Sequence, residues 1–133
     1  MLVVDSSVWI DFFNGHNEPA AELLGHLLDH GEVRIVVPDL VLFEVLRGFR
    51  HERDLRTARQ LMQSLAVESS TDPELALVAA EHYRGLRNRG HTVRSAIDVL
   101  VAAFCIERDY ALLHDDRDFD AFETHRGLRV WRH

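Results

Sequence analysis

The feature that most restricts this chain is the alternation of very short apolar segments with helix-length amphipathic ones. Leu2 to Asp5, Val33 to Val37, Val67 with Glu68, Ala111 to His114 and Leu128 to Trp131 read as short strands. Between them lie helical patterns. Ser7 is placed to cap a helix running to Phe13, which Asn14-Gly15 stops, and Glu18 to His30 carries Ala21, Leu24, Leu27 and Leu28 at helical spacing before Gly31. Pro38 cuts off the second strand, Asp39 to Leu46 is helical with Gly48 near its end, and Glu52 to Leu65 forms the next helix. Thr71-Asp72-Pro73-Glu74 starts a helix that runs to Arg89 before Gly90, and Ser95 caps one that carries Ile97, Leu100, Val101, Phe104 and Cys105 on its apolar side. Asp118 to Phe122 reads as a short helical turn. Strands separated by helices predict an α/β fold of three layers, with a mainly parallel sheet covered on both faces. In such sheets ligands collect beyond the carboxyl ends of the strands.

Four acidic residues fall where apolar segments hand over to exposed ones. Asp5 closes Leu2-Val3-Val4, Glu44 directly follows Leu40-Val41-Leu42-Phe43, Asp98 follows Ile97, and Asp116 lies just past Leu112-Leu113. A carboxylate in such a place is costly unless something pairs with it. Each has an ordinary explanation by itself: Asp5 as a helix cap, Glu44 as a solvated helix residue, Asp98 as a favourable charge in a first helical turn, and Asp116 and Asp118 as part of the acidic loop Asp115-Asp116-Arg117-Asp118. Together, a hard divalent cation held by oxygen ligands is the simplest partner that satisfies all of them, and the chain reads as a metal-dependent enzyme.

At 133 residues the chain is the size of one domain, residues 1–133. An apolar fraction of 47% and a charged fraction of 28% give no case for disorder. With no basic leader, no apolar run long enough for a membrane span and a single cysteine, Cys105, the expected place is the cytoplasm. A net charge of −7 argues weakly against a nucleic-acid partner, but the objection shrinks if several of the acids are gathered around cations that turn one pocket into a phosphate receiver. All 15 basic residues are arginine, which excludes any mechanism that needs a lysine.

Val4-Asp5-Ser6-Ser7-Val8-Trp9-Ile10-Asp11 resembles the opening of PIN-domain proteins, and Leu112-Leu113-His114-Asp115-Asp116-Arg117-Asp118-Phe119 resembles their closing acidic motif. Phe43-Glu44-Val45-Leu46-Arg47-Gly48 and the stretch from Ser95 to Ala103 are similar to the two middle motifs. The likeness runs from Met1 to about Trp131, and the length suits the VapC toxins of bacterial toxin–antitoxin pairs. That resemblance implies a PIN-like α/β/α domain and an endoribonuclease dependent on Mg²⁺, or on Mn²⁺ in its place. Asp5, Glu44, Asp98 and Asp116 would be both the catalytic and the metal-holding quartet, Ser7 would orient a carboxylate or a water, and Asp118 would add an outer hydrogen bond or a water-mediated ligand. It also implies an RNA substrate, a small VapB-like antitoxin and a homodimer.

Around that quartet, Arg94 and Arg117 are candidates for holding RNA phosphates. Arg47, Arg50, Arg53, Arg56 and Arg59 form a row whose simpler explanation is pairing with Glu52, Asp54 and other local acids. His114 is a candidate for proton transfer beside Asp116, or a strand-end histidine with a structural role. Trp9, Phe12, Phe13 and Trp131 read as core or dimer contacts. Two other classes share parts of the pattern: a non-catalytic PIN-like module that binds RNA or a partner, and an aspartyl-phosphate phosphatase or receiver domain. The latter normally uses a lysine, absent here, and the phosphatases carry a second Asp where this chain has Ser7.

Overall fold

The computed structural model describes residues 1–133. Its strands are β1 (Leu2–Val4), β2 (Ile35–Pro38), β3 (Ala66–Glu68) and β4 (Ala111–Leu113). Its helices are α1 (Ser6–Phe13), α2 (Pro19–His30), α3 (Asp39–Leu46), α4 (Glu52–Gln63), α5 (Pro73–Asn88), α6 (Ala96–Arg108) and α7 (Asp120–Arg126), the last preceded by a 3₁₀ turn over Arg117–Phe119. All strand pairs are parallel and the order across the sheet is β3-β2-β1-β4.

Burial explains why these short segments are strands. Leu2, Val3 and Val4 are wholly inaccessible although successive side chains point to opposite faces, so helices cover the sheet on both sides. Val36, Val37, Leu112 and Leu113 are equally buried. Each such side chain contributes roughly 1.5–3 kcal/mol, which offsets the poor intrinsic stability of three-residue strands. Trp9, Phe104, Phe119 and Phe122 fill the space between sheet and helices, and Trp9 stacks on Phe13 at 5.7 Å. Cys105 is buried within the same core, where burial pushes its thiol pKa up and leaves it inert.

The strand order fixes where a site can form. From β1 the chain winds outward through β2 and β3, then returns to lay β4 on the other edge of β1. The gap between β1 and β4 is therefore the topological switch point of the sheet. Asp5 and the loop from His114 onward emerge side by side at its carboxyl end, joined by a bond from the Asp5 amide to the Leu113 carbonyl at 2.9 Å.

Several boundaries differ from expectation. The second strand, expected over Val33 to Val37 and cut off by Pro38, is Ile35–Pro38, and the proline is its last residue, paired with Glu68. The final strand expected over Leu128 to Trp131 is reduced to one parallel bridge between Val130 and Leu112. Leu128 and Val130 do turn inward, but β4 is only three residues long, and the Arg129 carbonyl and Trp131 amide exhaust the pairing that Leu112 offers. Helix α1 begins at Ser6, with Asp5 and not Ser7 in the capping position. The short turn expected at Asp118 to Phe122 is a 3₁₀ turn that continues without a break into α7.

Helix α7 docks on α5 through one polar latch. Arg126 Nε donates to Nδ1 of the buried His82 at 2.8 Å, and the guanidinium lies over Gly85, where an added Cβ would stand 2.7 Å from Nη1. An interior helical glycine replaced by alanine normally gains about 1 kcal/mol. Here Gly85→Ala is expected to lower the stability of the full chain, whereas in an Arg126→Ala background the same change should raise it by about 1 kcal/mol. Urea denaturation of the four proteins checks this, and a stabilising Gly85→Ala in the wild-type background would show that the guanidinium yields to the added methyl at little cost and that the latch is weak.

Candidate active site

The proposed acidic residues reach the carboxyl end of β1 and β4 from four separate segments of the chain. Asp5 follows β1 directly and is 4% exposed, and its Oδ2 accepts the Ser7 hydroxyl at 2.6 Å. Burial raises its pKa, the Ser7 bond works against that rise, and Glu44 adds to it. Glu44 projects from α3, where the Ser6 hydroxyl donates to its Oε1. Asp98 stands in the first turn of α6 with its amide on Ser95 Oγ at 3.3 Å, so Ser95 caps the helix as expected. Asp116 and Asp118 come from the loop after β4, where the Asp118 amide donates to Asp116 Oδ1 at 2.9 Å.

Carboxylate oxygens of Asp98, Asp116 and Asp118 lie within 4.8 Å of one another. Asp118, expected in a supporting place, is thus one of the three acids that can touch a single cation together. Asp5 and Glu44 stand outside that trio but within electrostatic reach of it. The Asp98 carboxyl is pushed up to about 7, first by burial and then by Asp5, Glu44, Asp116 and Asp118 in that order. Four like charges facing a fifth is the arrangement that a multivalent cation relieves. The chain itself offers little relief: Arg47 Nη2, 3.9 Å from Glu44 Oε2, is the one guanidinium within ion-pair distance of any of the five. The donor set is all carboxylate, which suits Mg²⁺ or Mn²⁺ and not a metal that prefers sulfur or imidazole.

Ser6 was not singled out in the sequence. The only signal was its place beside Ser7 at the start of a helix, where two hydroxyls about 100° apart serve two different acids: Ser6 is buried and holds Glu44, while Ser7 is exposed and holds Asp5. Arg94 and Arg117 are exposed and make no ion pair. The arginine row is not neutralised by Glu52 or Asp54. Arg47 meets Glu44, Arg59 Nε donates to Gln63, and Arg50, Arg53 and Arg56 have no ion-pair partner. His114 is buried, which lowers its pKa, and its Nδ1 accepts the Asp116 amide.

The crowding has a sign that can be tested. The folded-state pKa of Asp98, about 7, lies above its ordinary 3.8, so between those values the folded chain binds more protons than the unfolded one. Its contribution is fully present below pH 3.8 and is lost as pH rises through about 7. With chelator present, Asp98→Asn should melt close to wild type at pH 4 and about 3 °C or more above it at pH 8. Calorimetric melting at both pH values checks this; a variant that melts with or below wild type at pH 8 would mean that Asp98 is not under electrostatic stress.

Comparison with known proteins identifies the family and the fold. The PIN domain family model matches residues 2–124. The chain is 32% identical to ribonuclease VapC11 of Mycobacterium tuberculosis over 130 residues, which is 98% of this chain and 97% of that protein. The fold is similar to VapBC2 from Rickettsia felis, solved bound to a DNA fragment from its promoter, with a TM-score of 0.76, 16% identity and 98% of each chain covered. It is likewise similar to DNA-bound VapBC from Salmonella typhimurium, with a TM-score of 0.73, 19% identity, and coverage of 98% of this chain and 96% of that one. On the family match across nearly its whole length, with four acidic segments in order at the end of a parallel sheet, this chain belongs to the PIN-domain family.

Proposed function

We propose that this chain is a divalent-metal-dependent endoribonuclease acting as the VapC-type toxin of a toxin–antitoxin pair. The observation that carries this reading is the convergence of Asp98, Asp116 and Asp118 within 4.8 Å, with Asp5 and Glu44 acting on the same carboxyl. Likeness over 98% of the chain to a protein named as a VapC ribonuclease supplies the substrate class. The two rival classes have no such support.

Asp98, Asp116 and Asp118 would hold the cation, Mg²⁺ or Mn²⁺, with Asp5 and Glu44 completing the acidic wall. Bound there, the cation would supply charge stabilisation at the scissile phosphate and lower the pKa of water. The chain's own residues prepare that place. Ser7 fixes Asp5, Ser6 fixes Glu44, and the Asp118 amide fixes Asp116, so each of those carboxylates has one oxygen anchored before a substrate arrives. Arg117, in the same loop as Asp116, and Arg94, shortly before α6, are free to receive phosphates of the strand being cut. Cleavage by water attack would leave a 5′ phosphate and a 3′ hydroxyl.

The partners in this reading are RNA, a VapB-like antitoxin and a second copy of the chain. Solved relatives of the same fold are VapBC pairs, which supports the antitoxin. An apolar groove between α5 and α6, lined by Ala76, Ala79, Tyr83, Val99 and Leu100, supports self-association. No helix is long and apolar enough to cross a membrane.

The test pairs activity with fold. Asp5→Asn and Asp98→Asn should each reduce Mn²⁺-dependent RNA cleavage by on the order of 10² or more while the melting transition survives. In a growth assay at matched abundance, the wild-type chain should arrest bacteria and Asp116→Ala should not. Near-normal cleavage by folded Asp98→Asn would overturn the assignment of the site, and equal toxicity of wild type and Asp116→Ala would overturn the link between toxicity and cleavage.

A further inference from the structure

The His114 ring has no part in the mechanism above, yet it is 8% exposed immediately after β4, two residues before Asp116. Its Nδ1 lies 3.1 Å from the Asp116 amide nitrogen. A backbone N–H can only donate, so Nδ1 is the bare, accepting nitrogen, and the neutral ring carries its proton on Nε2. That Nε2 is buried without any hydrogen-bond partner. Within the chain the ring therefore makes one hydrogen bond, and that bond holds a backbone amide.

What is held is the acidic loop. The bond from the Asp116 amide to His114 Nδ1 is repeated two residues on, where the Asp118 amide donates to Asp116 Oδ1 at 2.9 Å. Side chains at 114 and 116 thus fix the backbone at 116 and 118, the two positions whose carboxylates meet Asp98. The ring is itself fixed. It packs against the buried Phe119 ring at 4.9 Å between centroids, and its residue's carbonyl oxygen is 3.1 Å from His133 Nε2.

We infer that His114 is a positioning residue of the acidic site: as a neutral imidazole protonated on Nε2, it pins the Asp116 amide and so sets the loop geometry that brings Asp116 and Asp118 to Asp98. This rests on the nuclease reading above. It assigns the ring no proton transfer, because its one basic nitrogen is engaged by the amide and the other is buried with its proton.

The test uses the full chain and two variants of nearly the same shape, His114→Leu, which offers no acceptor, and His114→Asn, whose side-chain oxygen can stand near the place of Nδ1. In metal-free wild type, ¹⁵N spectroscopy should find the proton of His114 on Nε2. Hydrogen exchange at the Asp116 amide should be about tenfold or more faster in His114→Leu and within about threefold of wild type in His114→Asn. Mn²⁺ affinity measured by calorimetry should weaken by about 10–100-fold in His114→Leu and by no more than about threefold in His114→Asn. A proton on Nδ1 overturns the inference, and that reading needs no variant to fold. Equal losses in both variants overturn it too, because shape and not the acceptor would then matter, as does unchanged Mn²⁺ affinity in a folded His114→Leu. Failure of the nuclease reading looks different: wild type itself takes up no Mn²⁺ and cuts no RNA, which removes the cation from both.

Discussion

The repulsion between five carboxylates at one end of the sheet governs the rest of this molecule, because the fold has to be strong enough elsewhere to impose it. Asp98 registers all four neighbours at once, its carboxyl lifted to about 7 by burial and by Asp5, Glu44, Asp116 and Asp118. The force that opposes separation is apolar. β1 and β4 have no exposed residue in their paired interior, and the Asp5 amide is tied to the Leu113 carbonyl where the two strands end. Because β4 returns to the edge of β1 opposite β2, the two acid-bearing loops leave the sheet as neighbours whatever their charge. Helices α3 and α6 then bring Glu44 and Asp98 over the same gap.

Within that crowd, position is set by small hydrogen bonds. Two serines, one helix-capping serine, one imidazole and one amide each hold an acid or the backbone that bears it. Such outer contacts orient metal-holding carboxylates, and their loss typically costs as much as a weak ligand. On the proposed reading, the arrangement also answers the objection that a net charge of −7 raises against an RNA substrate. Five of its acids face one another at one end of the sheet, where bound cations would reverse the local sign, while Arg94 and Arg117 remain unpaired.

Much of this was legible in the chain because burial leaves marks on composition. The strands showed as apolar runs too short for helices, and the acids showed as charges in those runs, so the layer architecture and the presence of acids at the strand ends could be read. What could not be read depends on rotation and register. Whether α1 starts at Ser6 or Ser7 is a one-residue difference, but it decides which hydroxyl turns inward to Glu44. The Leu128 to Trp131 segment has strand alternation and still makes one bridge, since strand length is limited by the partner and not by the segment's own preference. Asp118 looked peripheral because the 3₁₀ turn that swings it toward Asp98 has no apolar periodicity to announce it. The part played by Gly85 depends on Arg126, 41 positions away in a different helix, which no local pattern reveals.

The most direct measurement of the central claim is the anomalous scattering of crystals grown with Mn²⁺. The account predicts a peak bounded by carboxylate oxygens of Asp98, Asp116 and Asp118, on the side facing Asp5 and Glu44, that disappears in Asp98→Asn crystals of the same form. A well-ordered map with no peak among these acids, or with Mn²⁺ bound only elsewhere on the surface, would contradict it.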